Sequence, residues 1–143
     1  MLFRSGFGIK AAISSPEPKA LQTAEIIGQR LGLAVEVEHG LGEHRRPQAS
    51  FGTEAEFQAR IAQIFAHPHA PAPGGESAEQ ARERLAVALE RHKTRPLLAV
   101  THGTVLSYYV AKLANCDAHD LWRSLRTPDA FVFGADGTLL ERL

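Results

Sequence analysis

One stretch of the chain indicates the fold more clearly than any other: residues 96–104, which read PLLAVTHGT. Leu97 to Val100 form a continuous apolar run, typical of a strand that is buried on both faces of a parallel sheet. The strand pattern ends at His102 and Gly103, and an apolar helix pattern begins at Thr104. Such a turn places an imidazole beside free backbone N–H groups, which suits an anionic ligand such as a phosphate ester. A structural histidine at a turn fits the pattern equally well.

The rest of the chain alternates strand and helix patterns. The spacing of apolar residues and the helix-capping signals predict strands at 9–14, 33–38 and 97–100, helices at 18–31, 53–66, 77–92, 104–114 and 117–125, and a closing hairpin at 131–142. Strands that alternate with helices predict an α/β fold with a mostly parallel sheet. No repeat and no domain boundary is visible, so we expect a single domain over residues 1–143.

The composition excludes several classes of function. Lys and Arg together number 16, as do Asp and Glu, so no net field favours nucleic acid or a membrane surface. Cys116 is the one cysteine, which excludes a disulfide framework and a cysteine-rich zinc site. No apolar run approaches the roughly 20 residues that span a bilayer, and no signal peptide is recognisable. We therefore expect a cytoplasmic protein without a nucleic-acid or membrane partner.

Two strand-to-helix turns carry groups that could bind an anion. The first turn, residues 14–20, contains Ser15 and Lys19, and the second contains Thr101 and His102. Both turns should lie at the carboxyl ends of parallel strands, where ligands bind. Ser15 could instead be a simple helix cap, and Lys19 could be a solvated surface cation.

Other polar residues have two interpretations each. Glu43 lies in a loop and could act as a general acid toward a leaving oxygen, or could be an exposed carboxylate paired with an arginine. His67 and His69 have no third ligand at metal-site spacing, so no metal site is predicted. We expect Arg82 and Arg84, on the helix that begins near residue 77, to be solvated.

Taken together, the motifs resemble those of the histidine phosphatase superfamily, the phosphoglycerate-mutase-like fold. The matching runs are SSPEPKALQTA at 14–24, LGE at 41–43, GES at 75–77 and VTHG at 100–103, and they stand in the family's order. The closing hairpin also suits the family. The resemblance covers residues 9–142 and implies a three-layer sandwich in which helices cover both faces of a mostly parallel sheet.

The resemblance also implies a chemistry and a set of roles. Such enzymes transfer a phosphoryl group through a phosphohistidine, without a metal or another cofactor. His102 would donate a hydrogen bond to the phosphoryl group, and Glu43 would protonate the leaving group. Lys19 would stand at the position of a phosphate-binding arginine, and Ser15 would line the same pocket. The backbone N–H groups of Gly103 and Thr104 would complete the set of donors.

The chain departs from the family pattern at three places. The family's first strand ends in Arg-His-Gly, whose histidine is the nucleophile, but the first histidine here is His39. We expect a truncated chain or a misplaced start; the alternative is a decayed motif at residues 2–6, with Ser5 at the nucleophile position. Lys19 replaces arginine, which keeps the charge but loses the two-pronged grip on phosphate. The loop at 45–52 also diverges, so its substrate contacts cannot be transferred.

The resemblance places the first strand between the strands that precede Ser14 and Thr101. Without it, unpaired buried backbone groups would each cost about 1–3 kcal/mol. We expect one of three arrangements: the two strands pair directly, a partner chain donates a strand, or residues 1–8 fill the gap.

The function expected from these observations is phosphomonoester hydrolysis or phosphoryl transfer in the complete form, with little or no turnover by this chain. The ligand would be a small phosphorylated metabolite or inorganic phosphate, and the protein could form a homodimer. The alternative is a non-catalytic phosphate-binding or regulatory module. A third class, an α/β hydrolase that uses Ser15 or Ser5, lacks the Gly-x-Ser-x-Gly turn and an evident Asp partner.

Overall fold

The structure, a computed structural model, describes residues 7–46, 52–71 and 74–143. These residues form an α/β fold with a parallel sheet and five helices, which confirms the predicted fold class. The elements are β1 (Ala11–Ser14), α1 (Pro18–Leu31), β2 (Val35–Val37), α2 (Glu54–Ala66), α3 (Ala78–Arg91), β3 (Leu97–Val100), α4 (Gly103–Ala114), α5 (Ala118–Ser124), β4 (Phe131–Phe133) and β5 (Leu139–Arg142). None of the helices in these ranges is long and apolar enough to span a membrane.

The chain divides into two compact units. The first unit comprises Met1–Gly42 and Arg84–His102, and the second comprises Glu43–Glu83 and Gly103–Leu143. The expectation that residues 1–143 act as a single domain stays a prediction. The alternative nucleophile Ser5 and most of the divergent loop after Arg46 lie outside the described residues.

The first unit contains a parallel sheet of strand order β2-β1-β3. Strands β1 and β3 are direct neighbours, with Ser14 beside Val100, so the first of the three expected arrangements is the one observed. The pairing is continued beyond the strands by hydrogen bonds from Lys10 N–H to the Pro96 carbonyl and from Ser15 N–H to the Val100 carbonyl. The backbone groups on this side of β1 therefore have partners without an intervening strand.

Strand β3 is less buried than its sequence predicts. All four of its residues are half-buried, although the apolar run predicted burial on both faces. The prediction was wrong because β3 lies at an edge of its sheet, with β1 as its one neighbour among the described strands. The two central residues of β1, Ala12 and Ile13, are 2% and 1% exposed and belong to the core of the unit.

Helix α1 begins and ends where its local signals indicate. Pro18 stands at its first position, where a missing N–H costs nothing, and Gly32 closes it in the left-handed conformation with φ of 68°. The helix contacts all three strands of the sheet through small buried residues such as Ala24. Gly28 is required for this packing, because a Cβ there would lie 2.8 Å from the Leu33 carbonyl oxygen.

The second unit is organised by helix caps and one aromatic cluster. The Thr53 hydroxyl accepts the Glu56 N–H while the Glu56 carboxylate accepts the Thr53 N–H, which confirms the capping box that opens α2. In α4, the buried Tyr108 donates its hydroxyl to the Ile64 carbonyl at 2.8 Å, and its ring stacks on Phe65 at 4.7 Å. Burial raises the pKa of the Tyr108 hydroxyl, because the phenolate would lose its hydration.

The antiparallel pair of β4 and β5 confirms the closing hairpin predicted at 131–142. It is held by an ion pair between Arg142 Nη2 and Asp129 Oδ2 at 2.5 Å, with side chains 29% and 4% exposed. The Arg142 guanidinium also lies 5.3 Å from the centre of the Phe131 ring. Burial opposes ionisation of Asp129, but hydrogen bonds from Arg142 and from the Arg126 N–H prevail and hold the pKa of this carboxyl below its ordinary value.

Replacing Arg142 with Met should lower the free energy of unfolding by about 2 kcal/mol, because it leaves the buried Asp129 carboxylate without its cation. Chemical denaturation monitored by circular dichroism measures the loss. The matched control is Arg123→Met, which removes an exposed pair with Asp120 and should change stability by less than about 0.5 kcal/mol. Equal losses in the two variants would contradict the importance of the buried pair.

Candidate functional site

His102 and Ser15 meet at the carboxyl edge of the parallel sheet. Ser14 and Val100 are paired neighbours, so the chain segments that leave β1 and β3 emerge side by side. His102 Nε2 lies 2.8 Å from the Ser15 Oγ, and the two residues are 5% and 0% exposed. The structure therefore brings together one predicted site residue from each of the two turns.

Glu17 joins this contact, although the sequence analysis did not single it out. Its Oε1 lies 3.3 Å from His102 Nε2, and its backbone N–H donates to the Ser15 Oγ at 3.2 Å. We call Ser15, Glu17 and His102 the His102 cluster. Both oxygens face the same ring nitrogen, whereas a Ser-His-acid triad needs the acid on the other one. The geometry therefore does not support a serine hydrolase that uses Ser15.

Lys19 lies on the first turn of α1, with an exposed side chain. Its carbonyl accepts the Thr23 hydroxyl at 2.9 Å, but its ammonium group forms no ion pair with any described residue. The sequence predicts that Lys19 and His102 converge on one anion. Lys19 is close to Ser15 in the chain, but the described residues show no direct contact between Lys19 and His102. Their convergence stays a prediction.

The turn that precedes Glu43 is fixed by two side chains of the first unit. Arg84 Nη1 donates to the carbonyls of Gly40 and Gly42, at 2.7 and 3.0 Å. Thr101, the residue before His102, donates its hydroxyl to the Leu41 carbonyl at 2.6 Å. The expectation that Arg84 is solvated was wrong, because three backbone carbonyls converge here and a guanidinium is the natural donor for two of them.

In the second unit, Glu43 is held by three backbone N–H groups. Its carboxylate accepts from His44 at 2.8 Å, from Thr104 at 3.1 Å and from Val105 at 3.0 Å. The last two lie in the first turn of α4, where a carboxylate is favoured by the unpaired N–H groups and the helix dipole. The Thr104 N–H, which the resemblance assigns to phosphate, thus donates to Glu43 in this structure.

Gly103 begins α4 close to α5. A Cβ at this position would lie 3.4 Å from the Leu125 side chain and 3.7 Å from the Trp122 Nε1. These are ordinary contact distances, so α5 lies against the start of α4 without its packing requiring a glycine at this position.

The GES run at 75–77 holds the loop that contains Glu43. Glu76 exchanges two hydrogen bonds of 2.9 Å with the backbone of Arg45, one through its N–H and one through its carboxylate. Gly75 permits this approach, because a Cβ there would overlap the Arg45 carbonyl. The Ser77 hydroxyl accepts the Gln80 N–H, and the Ser77 N–H donates to the Gln80 side chain at 2.8 Å, so these two residues form a capping box that opens α3.

His44 completes this arrangement from inside the unit. Its Nε2 lies 2.9 Å from the Glu76 carbonyl oxygen, and its residue is 4% exposed. Burial lowers the pKa of His44, because the imidazolium would lose its hydration, while the hydrogen bond to the Glu76 carbonyl opposes the shift. His44 is therefore a positioning residue that the sequence analysis missed, although its place between Glu43 and two arginines was a signal.

The described residues contain no group of three or more His, Cys, Asp or Glu side chains suited to a metal ion. His67 and His69 are both exposed.

Comparison with known proteins identifies the family. The sequence model of the histidine phosphatase superfamily, branch 1, matches residues 2–131. The chain belongs to this superfamily. The predicted family resemblance is thereby confirmed. No match was found among the curated proteins that were compared.

Solved structures of the same fold come from several bacteria. The chain is similar to Bacillus stearothermophilus YhfR, with a TM-score of 0.62 and 24% identity over 92% of this chain and 71% of the other. It is similar to the α-ribazole phosphatase of Shigella flexneri, with a TM-score of 0.59 and 19% identity over 90% and 69%. It is also similar to a mycobacterial glucosyl-3-phosphoglycerate phosphatase in complex with VO3, with a TM-score of 0.63 and 22% identity over 80% and 63%.

These similarities show the fold alone, because the identities are below 25%. The chain covers 64%, 63% and 57% of the length of three mycobacterial chains that it matches. The activity and substrates of the whole protein are therefore matters of proposal.

Replacing His44 with Gln should reduce the acid sensitivity of the fold. Because burial lowers its pKa, folded His44 resists protonation, so its contribution to stability is complete above about pH 6.5 and is lost as the pH falls below that value. Between about pH 6.5 and 5, the free energy of unfolding of the wild type should fall more steeply than that of the variant, by up to about 1.4 kcal/mol per pH unit.

Urea denaturation at several pH values measures these slopes. His69→Gln, at an exposed position, is the control and should follow the wild-type slope. If the free energy of unfolding falls equally steeply with pH in the wild type and in His44→Gln, His44 does not cause the acid sensitivity of the fold.

Proposed function

We propose that the chain binds the phosphoryl group of a small phosphorylated metabolite, or inorganic phosphate, at the His102 cluster. The observation that carries this proposal is the buried contact between His102 Nε2 and the Ser15 Oγ at the carboxyl edge of the parallel sheet. Ligands of α/β folds bind at this edge, and an imidazole N–H held in place by packing is a suitable donor to a phosphoryl oxygen.

The roles of the remaining residues are part of the proposal. His102 donates to the phosphoryl group, and Lys19 supplies a positive charge from the first turn of α1. Gly103 and Thr104 offer backbone N–H groups, of which the Thr104 N–H must first exchange its bond to Glu43. In a form that also carries the nucleophilic histidine, Glu43 would deliver the proton to the leaving oxygen. Three backbone hydrogen bonds fix the position of its carboxylate, and one of its oxygens must take up a proton before it can act as this acid.

Family membership supports phosphate as the ligand class. Two of the similar structures are mycobacterial glucosyl-3-phosphoglycerate phosphatase in complexes with VO3 and with inorganic phosphate. We infer from these neighbours that the activity of a form that also carries the family's nucleophilic histidine is phosphomonoester hydrolysis or phosphoryl transfer through a phosphohistidine, without a metal.

This chain should itself show little or no turnover. The tripeptide Arg-His-Gly does not occur in its 143 residues, so the phosphohistidine route has no nucleophile. The alternative function, a non-catalytic phosphate-binding or regulatory module, uses the same His102 cluster. A cytoplasmic location and a homodimer stay predictions from the sequence.

Titration calorimetry with inorganic phosphate tests the binding proposal. The wild type should bind, and Lys19→Ala should weaken the dissociation constant about three- to tenfold, because an exposed cation near the ligand contributes a modest Coulomb energy. Lys93→Ala removes an equally exposed charge elsewhere in the same unit and should leave the affinity unchanged. Absence of binding by a folded wild type, or equal losses in both variants, would contradict the proposed site.

The turnover prediction is tested with 4-nitrophenyl phosphate. Release of 4-nitrophenol should stay at the buffer rate for the wild type and for His102→Ala. Robust release that His102→Ala abolishes would refute the inactivity proposed for this chain.

A further inference from the structure

The Glu17 carboxylate does not cap α1, although Glu17 is the N-cap residue of this helix. The N-cap is a position at which Ser, Thr, Asp and Asn commonly accept a helix N–H and at which the helix dipole favours any carboxylate. The Glu17 side chain makes no such capping bond. Its Oε1 lies instead 3.3 Å from His102 Nε2. The chain thus places an anion on Nε2, the ring nitrogen of His102 that also contacts Ser15.

The surroundings keep this carboxylate close to His102 without enclosing it. The Glu17 side chain is 41% exposed, whereas that of His102 is 2% exposed. The carboxylate also lies near Gly42, where a Cβ would come within 3.7 Å of its Oε1 and 3.9 Å of the Arg84 Nη1. The imidazole is therefore enclosed by the protein, whereas the carboxylate reaches solvent.

We propose that Glu17 is an internal competitor for the anion-binding position on His102. This inference rests on the proposed function. The Glu17 carboxylate occupies the side of the imidazole that faces Ser15, and a phosphoryl group must displace it. Two anions at contact distance repel each other strongly, so they cannot share one N–H donor. Glu17 therefore lowers the affinity of the site for phosphate and makes binding depend on the movement of one side chain.

The displaced carboxylate has an alternative partner nearby. The first turn of α1 includes the Lys19 N–H, and the N-terminus of a helix favours negative charge. The Glu17 carbonyl already accepts the N–H groups of Ala20 and Leu21, at 3.0 Å each, so its backbone is anchored while the side chain changes rotamer. The movement requires no change in the helix.

Titration calorimetry at pH 7 and constant ionic strength tests the proposal, with inorganic phosphate as the probe. Glu17→Gln keeps the shape of the side chain and removes its charge, and should tighten the dissociation constant about tenfold. Glu17→Ala should act in the same direction, which excludes an effect of the new amide. Glu25→Gln, an exposed residue of α1, removes the same charge away from His102 and should change the affinity less than twofold.

A double-mutant comparison shows whether the effect passes through His102. In a His102→Gln background, the gain from Glu17→Gln should disappear, since the competitor has lost its target. A structural role of Glu17 would leave the gain in place and overturn the proposal.

The outcomes separate this inference from the proposed function. If the wild type binds phosphate and Glu17→Gln binds it equally well or more weakly, the competitor role is refuted and the phosphate site stands. If neither protein binds phosphate while circular dichroism shows both to be folded, the proposed function and this inference both fail.

Discussion

The parallel pairing of β1 with β3 is the constraint on which the first unit depends. The register that sets Ser14 beside Val100 makes both strands end at the same edge, and the next residues along each segment include Ser15 and His102. Their contact joins residues that are 87 positions apart in the chain, in a region where both are almost completely buried. A shift of one residue in this register would turn each side chain to the opposite face of the sheet and separate the pair.

Carboxylates occupy the hydrogen-bond donors in both units. In the first, Glu17 faces His102, and in the second, Glu43 accepts the N–H groups of Thr104 and Val105. N–H groups that point toward an anion site need an acceptor, and here a carboxylate of the same chain supplies it. Under the proposed function, a phosphoryl group at His102 would compete with the Glu17 carboxylate, and its net affinity would be the difference between two similar interactions.

The motifs of the histidine phosphatase superfamily have separate physical tasks in this chain. The SSPEPKALQTA run provides the Ser15 hydroxyl and Pro18, the proline that starts α1. The GES run holds the loop of Glu43 through Glu76, and the VTHG run supplies His102 and the glycine that α5 packs against. The four motifs follow one another in the sequence in the same order as these structural elements. Four short runs in that order are therefore enough to indicate the family.

The sequence by itself determined the helices, their caps and the closing hairpin. Pro18 and Gly32 delimit α1, and Thr53 with Glu56 opens α2, because these interactions join residues a few positions apart and need nothing else from the fold. Only the tertiary structure decided that β3 is an edge strand and that Arg84 binds the Gly40 and Gly42 carbonyls. It alone placed Glu17 against His102, because rotamer choice and contacts between segments distant in the chain depend on packing that no local pattern encodes.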